Sequence, residues 1–170
     1  MTDETGSLPE DLLERTREAI EDRHGYLSWL GTQVETLEPG RAVLTIPFDT
    51  KLSNATEPPS MHGGVAATLI DTAGAMALRT TLEDPDKGYM ATINLNVNYL
   101  RPAMDDLVAN AEVIRAGNTV GVAGITVESE TPGDGIEPVA TGQAAYRMFR
   151  GQRRQGLDTD DEEFSDDAPQ

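Results

Sequence analysis

The 170-residue chain contains no cysteine, which removes disulfides, thiolate metal sites and a cysteine nucleophile from consideration. Histidine is nearly as scarce. Two residues, His24 and His62, argue against a metal centre built on several imidazoles, so no metal is expected. Lysine occurs only at positions 51 and 87, against eleven arginines. No uncharged apolar run reaches membrane-spanning length, since the stretch 65–78 is too short and carries Asp71; no membrane association is expected. The opening MTDETGSLPEDLLERTREAIED is acidic and lacks an apolar h-region. No signal peptide is therefore expected, and the protein is expected in the cytoplasm.

What the chain has in excess is acid. Thirty Asp and Glu against thirteen Lys and Arg give a net charge of −17. The segment 157–170, LDTDDEEFSDDAPQ, holds seven acids and no base; without it 23 acids face 13 bases, and the body still carries −10. A nucleic-acid partner is disfavoured, because phosphate contacts need clustered cations. A lysine-poor, acid-rich surface suggests a halophilic protein, because the Debye length at about 1 M salt is only about 3 Å and self-repulsion is largely screened. Residues 1–7 and the acidic tail 151–170 read as disordered, leaving 8–150 as a single domain.

Along that domain, residues 8–23 fit an amphipathic helix with Leu12, Leu13 and Ile20 on one face and Pro9 near the first turn. HGYLSWLG reads as a short apolar connector, and His24 as a surface or packing residue. TQVETLEPGRAVLTIPFD reads as two strands about a Pro39-Gly40 turn, and TKLSNATEPPS as a loop. In ATINLNVNYL, Ile93, Leu95, Val97 and Tyr99 alternate with Thr92, Asn94, Asn96 and Asn98, predicting a strand with one face seeking a core. Three further strands follow, joined at Gly117-Asn118 and across 132–135. One central helix followed by a meander of hairpins implies an α+β fold, an antiparallel sheet wrapped on that helix.

The central segment, MHGGVAATLIDTAGAMALRTT, carries the candidate chemistry. Most of it reads as a small-residue core helix. Asp71 does not, since no charged residue stands three or four positions away to pair with it and a buried unpaired carboxylate is expensive. It either faces solvent or is held in a pocket for chemistry. At the helix start, His62, Gly63 and Gly64 present backbone N–H groups at the positive end of the helix dipole, where glycine permits close approach of a carbonyl becoming tetrahedral. Gly63 and Asp71 are eight residues apart, about 12 Å along an α-helix. Both must lie within about 3 Å of one reacting centre to act together. One helix cannot supply both, but two antiparallel copies can, so a shared site requires a homo-oligomer with two-fold symmetry.

HGGVAATLIDTAGAMAL followed by ATINLNVNYLRPA resembles the hotdog-fold acyl-CoA thioesterases of the PaaI type, from about residue 29 to 149. The resemblance implies a curved antiparallel sheet around a long central helix, and a dimer, often paired again into a tetramer. It implies that Asp71 is the catalytic carboxylate, as general base or as nucleophile through a mixed anhydride. It implies that Gly63 N–H polarises the thioester carbonyl, that His62 shapes the loop, and that Asn54 contacts the carbonyl or the water. Thr92 falls where some members place a hydroxyl near the attacking water. Where many members have a glycine in a shorter gap between that asparagine and the histidine, this chain has NATEPPSM, with two prolines. Gly64 and Arg101 are substrate-side candidates, Arg101 for a CoA phosphate. The implied reaction is hydrolysis of an acyl- or aryl-CoA thioester without a metal or other cofactor. The rivals are a non-catalytic acyl-CoA binding module and a hydratase on a similar scaffold, whose Asp/His arrangement is not found here.

Overall fold

The computed structural model describes residues 8–86, 88–131 and 135–149. The two terminal segments expected to be disordered, and most of the turn expected at 132–135, lie outside the described residues. Six strands form one antiparallel sheet: β1 (Gln33–Glu38), β2 (Arg41–Ile46), β3 (Tyr89–Tyr99), β4 (Leu107–Ala116), β5 (Val120–Thr131) and β6 (Gly135–Phe149), in the order β1-β2-β4-β5-β6-β3. Gly40, at φ 75°, makes the turn between β1 and β2, a left-handed conformation that glycine adopts without strain. The central helix is α3 (Gly63–Arg79), and the expected order of elements holds.

Helix and sheet interlock through glycines on both sides. Leu69, Ile70, Ala73, Ala77 and Leu78 of α3 are fully buried against Leu44, Ile46, Leu107, Ala109, Ile125, Val127 and Ala144 of the sheet. The sheet yields where the helix is bulky: a Cβ at Gly121 would stand 2.5 Å from Leu78, and one at Gly142 would stand 2.7 Å from Ile70. The helix yields where the sheet is bulky, at Gly74, which receives Tyr146. The close packing expected of the small-residue helix is thus reciprocal.

The amino-terminal helix is shorter and less regular than its pattern predicts. α1 spans Leu12–Arg17 and continues as a π-helical turn over Glu18–Arg23. Leu12 and Ile20 are buried as expected. The widened turn brings Glu21 and Arg17 to the edge of β1: Val34 N–H donates to Glu21 Oε1 at 2.9 Å, and Arg17 Nε donates to Val34 O at 2.7 Å. The connector 24–31 is a helix, α2 (Gly25–Leu30). His24, expected only at the surface or in packing, is its N-cap, Nδ1 accepting from Leu27 N–H at 3.3 Å. Gly31, at φ 76°, closes it.

β3 departs most from expectation. Its apolar residues sought a core, yet Ile93 and Tyr99 are each 57% exposed and Leu95 is 38% exposed. The causes are position and a bulge: Leu95 and Tyr99 lie on the end strand beside β6, at the margin of what α3 covers, and Ile93 is the unpaired residue of a bulge between Thr92 and Asn94, while Val97 packs against the core. One edge of the sheet is capped by the amino-terminal helix. Among the described residues nothing pairs with the other, the free edge of β3.

Candidate active site

The candidate residues fall into two groups within one chain. The first gathers at the start of α3. His62 is the N-cap, and its Nδ1 accepts from Gly64 N–H at 2.9 Å. This bond places the proton of a neutral ring on Nε2, and it uses the Gly64 N–H. The Gly63 N–H has no partner among the described residues, so it is the donor left at the positive end of the helix. Tyr99, at the end of β3, donates from its hydroxyl to Gly63 O at 3.0 Å, and its ring lies where a Cβ at Gly63 would be 3.1 Å away.

The loop with two prolines returns to this place. Ser53 bridges to Met61, Asn54 N–H donates to Ser60 O at 2.8 Å, and Asn54 Nδ2 donates to Met61 O at 3.4 Å. Asn54, His62, Gly63, Tyr99 and Arg101 line one cavity of about 380 Å³, floored by Ala66, Leu107 and Ala140. Arg101 is already engaged: it donates to Pro138 O at 2.7 Å and its guanidinium stands 3.6 Å from Glu137. A larger hollow of about 960 Å³, walled by Arg41, Asn110, Glu112, Thr126 and Gln143, lies on the sheet face turned away from α3 and holds none of the candidates.

The second group surrounds Asp71, two turns further along α3 and absent from the 380 Å³ cavity. Asp71 is partly buried, and Thr92 Oγ1 donates to its Oδ1 at 2.8 Å. β3 aims Thr92 inward because a bulge between Thr92 and Asn94 shifts the register there against β6. Tyr146 of β6, Thr92's cross-strand partner and 1% exposed, donates from its hydroxyl to Asp71 O at 2.6 Å. Sequence reasoning did not single out Tyr146; the feature of the sequence that makes room for it is Gly74, an interior helix glycine. Burial, and then the charge of Asp71, raise the Tyr146 phenol far above its ordinary range, so it stays a proton donor at any working pH. Among the described residues no cluster of three His, Asp or Glu side chains could hold a metal ion.

A single chain therefore presents a helix start with an unpaired Gly63 N–H and a hydroxyl-held carboxylate about 12 Å apart. Comparison with known proteins bears on what these halves serve. Residues 59–136 match the family described as the thioesterase superfamily. A candidate esterase of Halobacterium salinarum is 49% identical over 132 residues, covering 76% of this chain and 87% of that protein. Acyl-coenzyme A thioesterase 13 of Homo sapiens is 28% identical over 98 residues, covering 56% of this chain and 66% of its own length. Among solved structures, a thioesterase family protein from Silicibacter pomeroyi superposes with a TM-score of 0.70 at 27% identity, covering 82% of this chain and 99% of that one. A thioesterase from Haemophilus influenzae reaches a TM-score of 0.73 at 20% identity, covering 88% of this chain and 98% of its own, a likeness of fold.

Proposed function

Because the chain belongs to the thioesterase superfamily, with the hotdog fold and thioester hydrolysis as that family's common ground, we propose that it hydrolyses an acyl- or aryl-CoA thioester at a site shared between two copies. The observation that carries this reading is the separation of the two half-sites. Asp71 with Thr92 and the free Gly63 N–H are each built for one part of the reaction, and one helix keeps them apart. A second copy related by a two-fold axis sets Asp71 opposite the partner's Gly63.

The uncovered edge of β3 supports that pairing. The amino-terminal helix blocks the β1 edge through Arg17 and Glu21, so the sheet can extend only past β3. Ile93, Leu95 and Tyr99 then gain cover.

In the shared site the thioester carbonyl oxygen accepts from Gly63 N–H, and the helix dipole stabilises the developing oxyanion. Asp71 either takes the proton of an attacking water or attacks the carbonyl itself, breaking the C–S bond and expelling the CoA thiolate to give a mixed anhydride that water then opens to the free acid and the Asp71 carboxylate. In the first route the water oxygen bonds to the acyl carbon, its proton passes to Asp71, the C–S bond breaks and CoA leaves as the thiolate. Thr92 holds the carboxylate in line. His62 shapes the turn as a cap, with its Nδ1 occupied by the Gly64 N–H.

A panel of short, long and aromatic acyl-CoAs, with free thiol detected, tests the reading. Wild type is expected to release thiol from at least one class. Asp71→Asn is expected to lose turnover while its circular dichroism stays unchanged; turnover near wild type in that variant would remove Asp71 from the chemistry.

A further inference from the structure

The phenol of Tyr146 enters the hydrogen-bond ladder of α3 directly beneath the carboxylate. It donates at 2.6 Å to Asp71 O, the carbonyl whose ordinary i+4 partner in the helix is the Ala75 N–H. The contact is possible only because position 74 is glycine: a Cβ there would lie 2.5 Å from the Tyr146 hydroxyl and 3.1 Å from Ile125 Cδ1. An interior glycine costs a helix roughly 0.5–1 kcal/mol, and here it opens space for a single buried hydroxyl. Tyr146 and Thr92 are directly paired across β6 and β3. Two neighbouring strands therefore grip one residue of the helix, Thr92 at its carboxylate and Tyr146 at its carbonyl.

We infer that Tyr146 is a positioning residue: its hydroxyl, admitted by Gly74, fixes the turn of α3 that carries Asp71, so that the carboxylate Thr92 holds is set against the site. This rests on the catalytic reading of Asp71 above. The side chain is 1% exposed and reaches Asp71 through its backbone, so it acts on substrate only through that residue. Replacing the phenol with a phenyl ring leaves Asp71 O to its ordinary helical partner, the Ala75 N–H, so Tyr146→Phe is expected to fold.

The test compares Tyr146→Phe, Gly74→Ala, Asp71→Asn and Ile125→Val by steady-state thiol release and thermal melting. Ile125→Val trims the same packing contact without touching the hydroxyl. Tyr146→Phe is expected to lower kcat about tenfold with KM within twofold, as a carboxylate displaced by a fraction of an ångström would. Gly74→Ala, which pushes the hydroxyl aside, is expected to move kcat in the same direction. Ile125→Val is expected to lower Tm with kcat unchanged. If Asp71→Asn is inactive while Tyr146→Phe keeps wild-type kcat, positioning is overturned and the catalytic reading stands. If Ile125→Val loses kcat as steeply as Tyr146→Phe, the hydroxyl is merely part of the packing and the inference is equally overturned. If Asp71→Asn remains active, the catalytic reading fails first and takes this one with it.

Discussion

Thr92→Val offers a sharp test of how the carboxylate is held. The substitution keeps the shape and β-branching of the side chain and removes only the hydroxyl that donates to Asp71 Oδ1 at 2.8 Å. A hydrogen bond to a charged group contributes about 1.5–3 kcal/mol. The Thr92 side chain is exposed and water can replace part of the bond, so about 1–2 kcal/mol is the reasonable share. If that energy is expressed in the transition state, at about 1.4 kcal/mol per tenfold, kcat should fall about 5- to 30-fold. KM should stay near its wild-type value, because the hydroxyl acts on the enzyme's own carboxylate. Thr92→Ser restores the donor and should restore most of the rate. The assay is thiol release over a range of acyl-CoA concentrations, with a melting curve for each variant. A Thr92→Val protein with wild-type kcat would refute the claim that this hydroxyl sets the carboxylate.

Two further outcomes follow from the sheet edge and the charge. Lysine at both positions 93 and 95 should leave the chain monomeric in size-exclusion chromatography with light scattering, folded by circular dichroism, and inactive, because lysine on an exposed edge opposes pairing; a monomer that still turns over thioester would contradict the shared site. Tm and activity should both rise from dilute buffer to about 1 M salt as the −17 net charge is screened; full stability in dilute buffer would show that the acidic balance is no adaptation to salt.

β3 was legible from its two-residue alternation and the other strands from the turns between them, and the central helix from small and apolar residues interrupted between Gly63 and Leu78 by one charge, Asp71. Alternation shows that a strand has two different faces, but not whether the chain itself covers the apolar one. Ile93 and Leu95 were therefore assigned to a core that a single chain does not build around them. α2 is six residues long, too short for helical periodicity to register, and its N-cap is a histidine, a residue type outside the usual capping set. Asn54 reaches the helix start only because Ser53 pairs with Met61 across the loop, a closure that local pattern does not express. Tyr146 stands 75 positions from Asp71 in a strand of mostly small residues, and the two meet only once β6 lies under α3. Gly74 was the trace it left in the sequence, a helix glycine with no local reason.

The division of the site between two copies is tested most directly by mixing two inactive variants, Asp71→Ala and Gly63→Pro. Proline suits the first helical position: His62 before it already has an extended ψ of 133°, and only the N–H is lost. The exposed Tyr99 ring, 3.1 Å from a Cβ at that position, has room to shift. With random exchange in an equal mixture, half the dimers carry one of each chain. Each of those keeps one site in which the native Asp71 of one copy faces the partner's Gly63, so about a quarter of wild-type activity should return. Demonstrated subunit exchange with no activity regained would contradict the account.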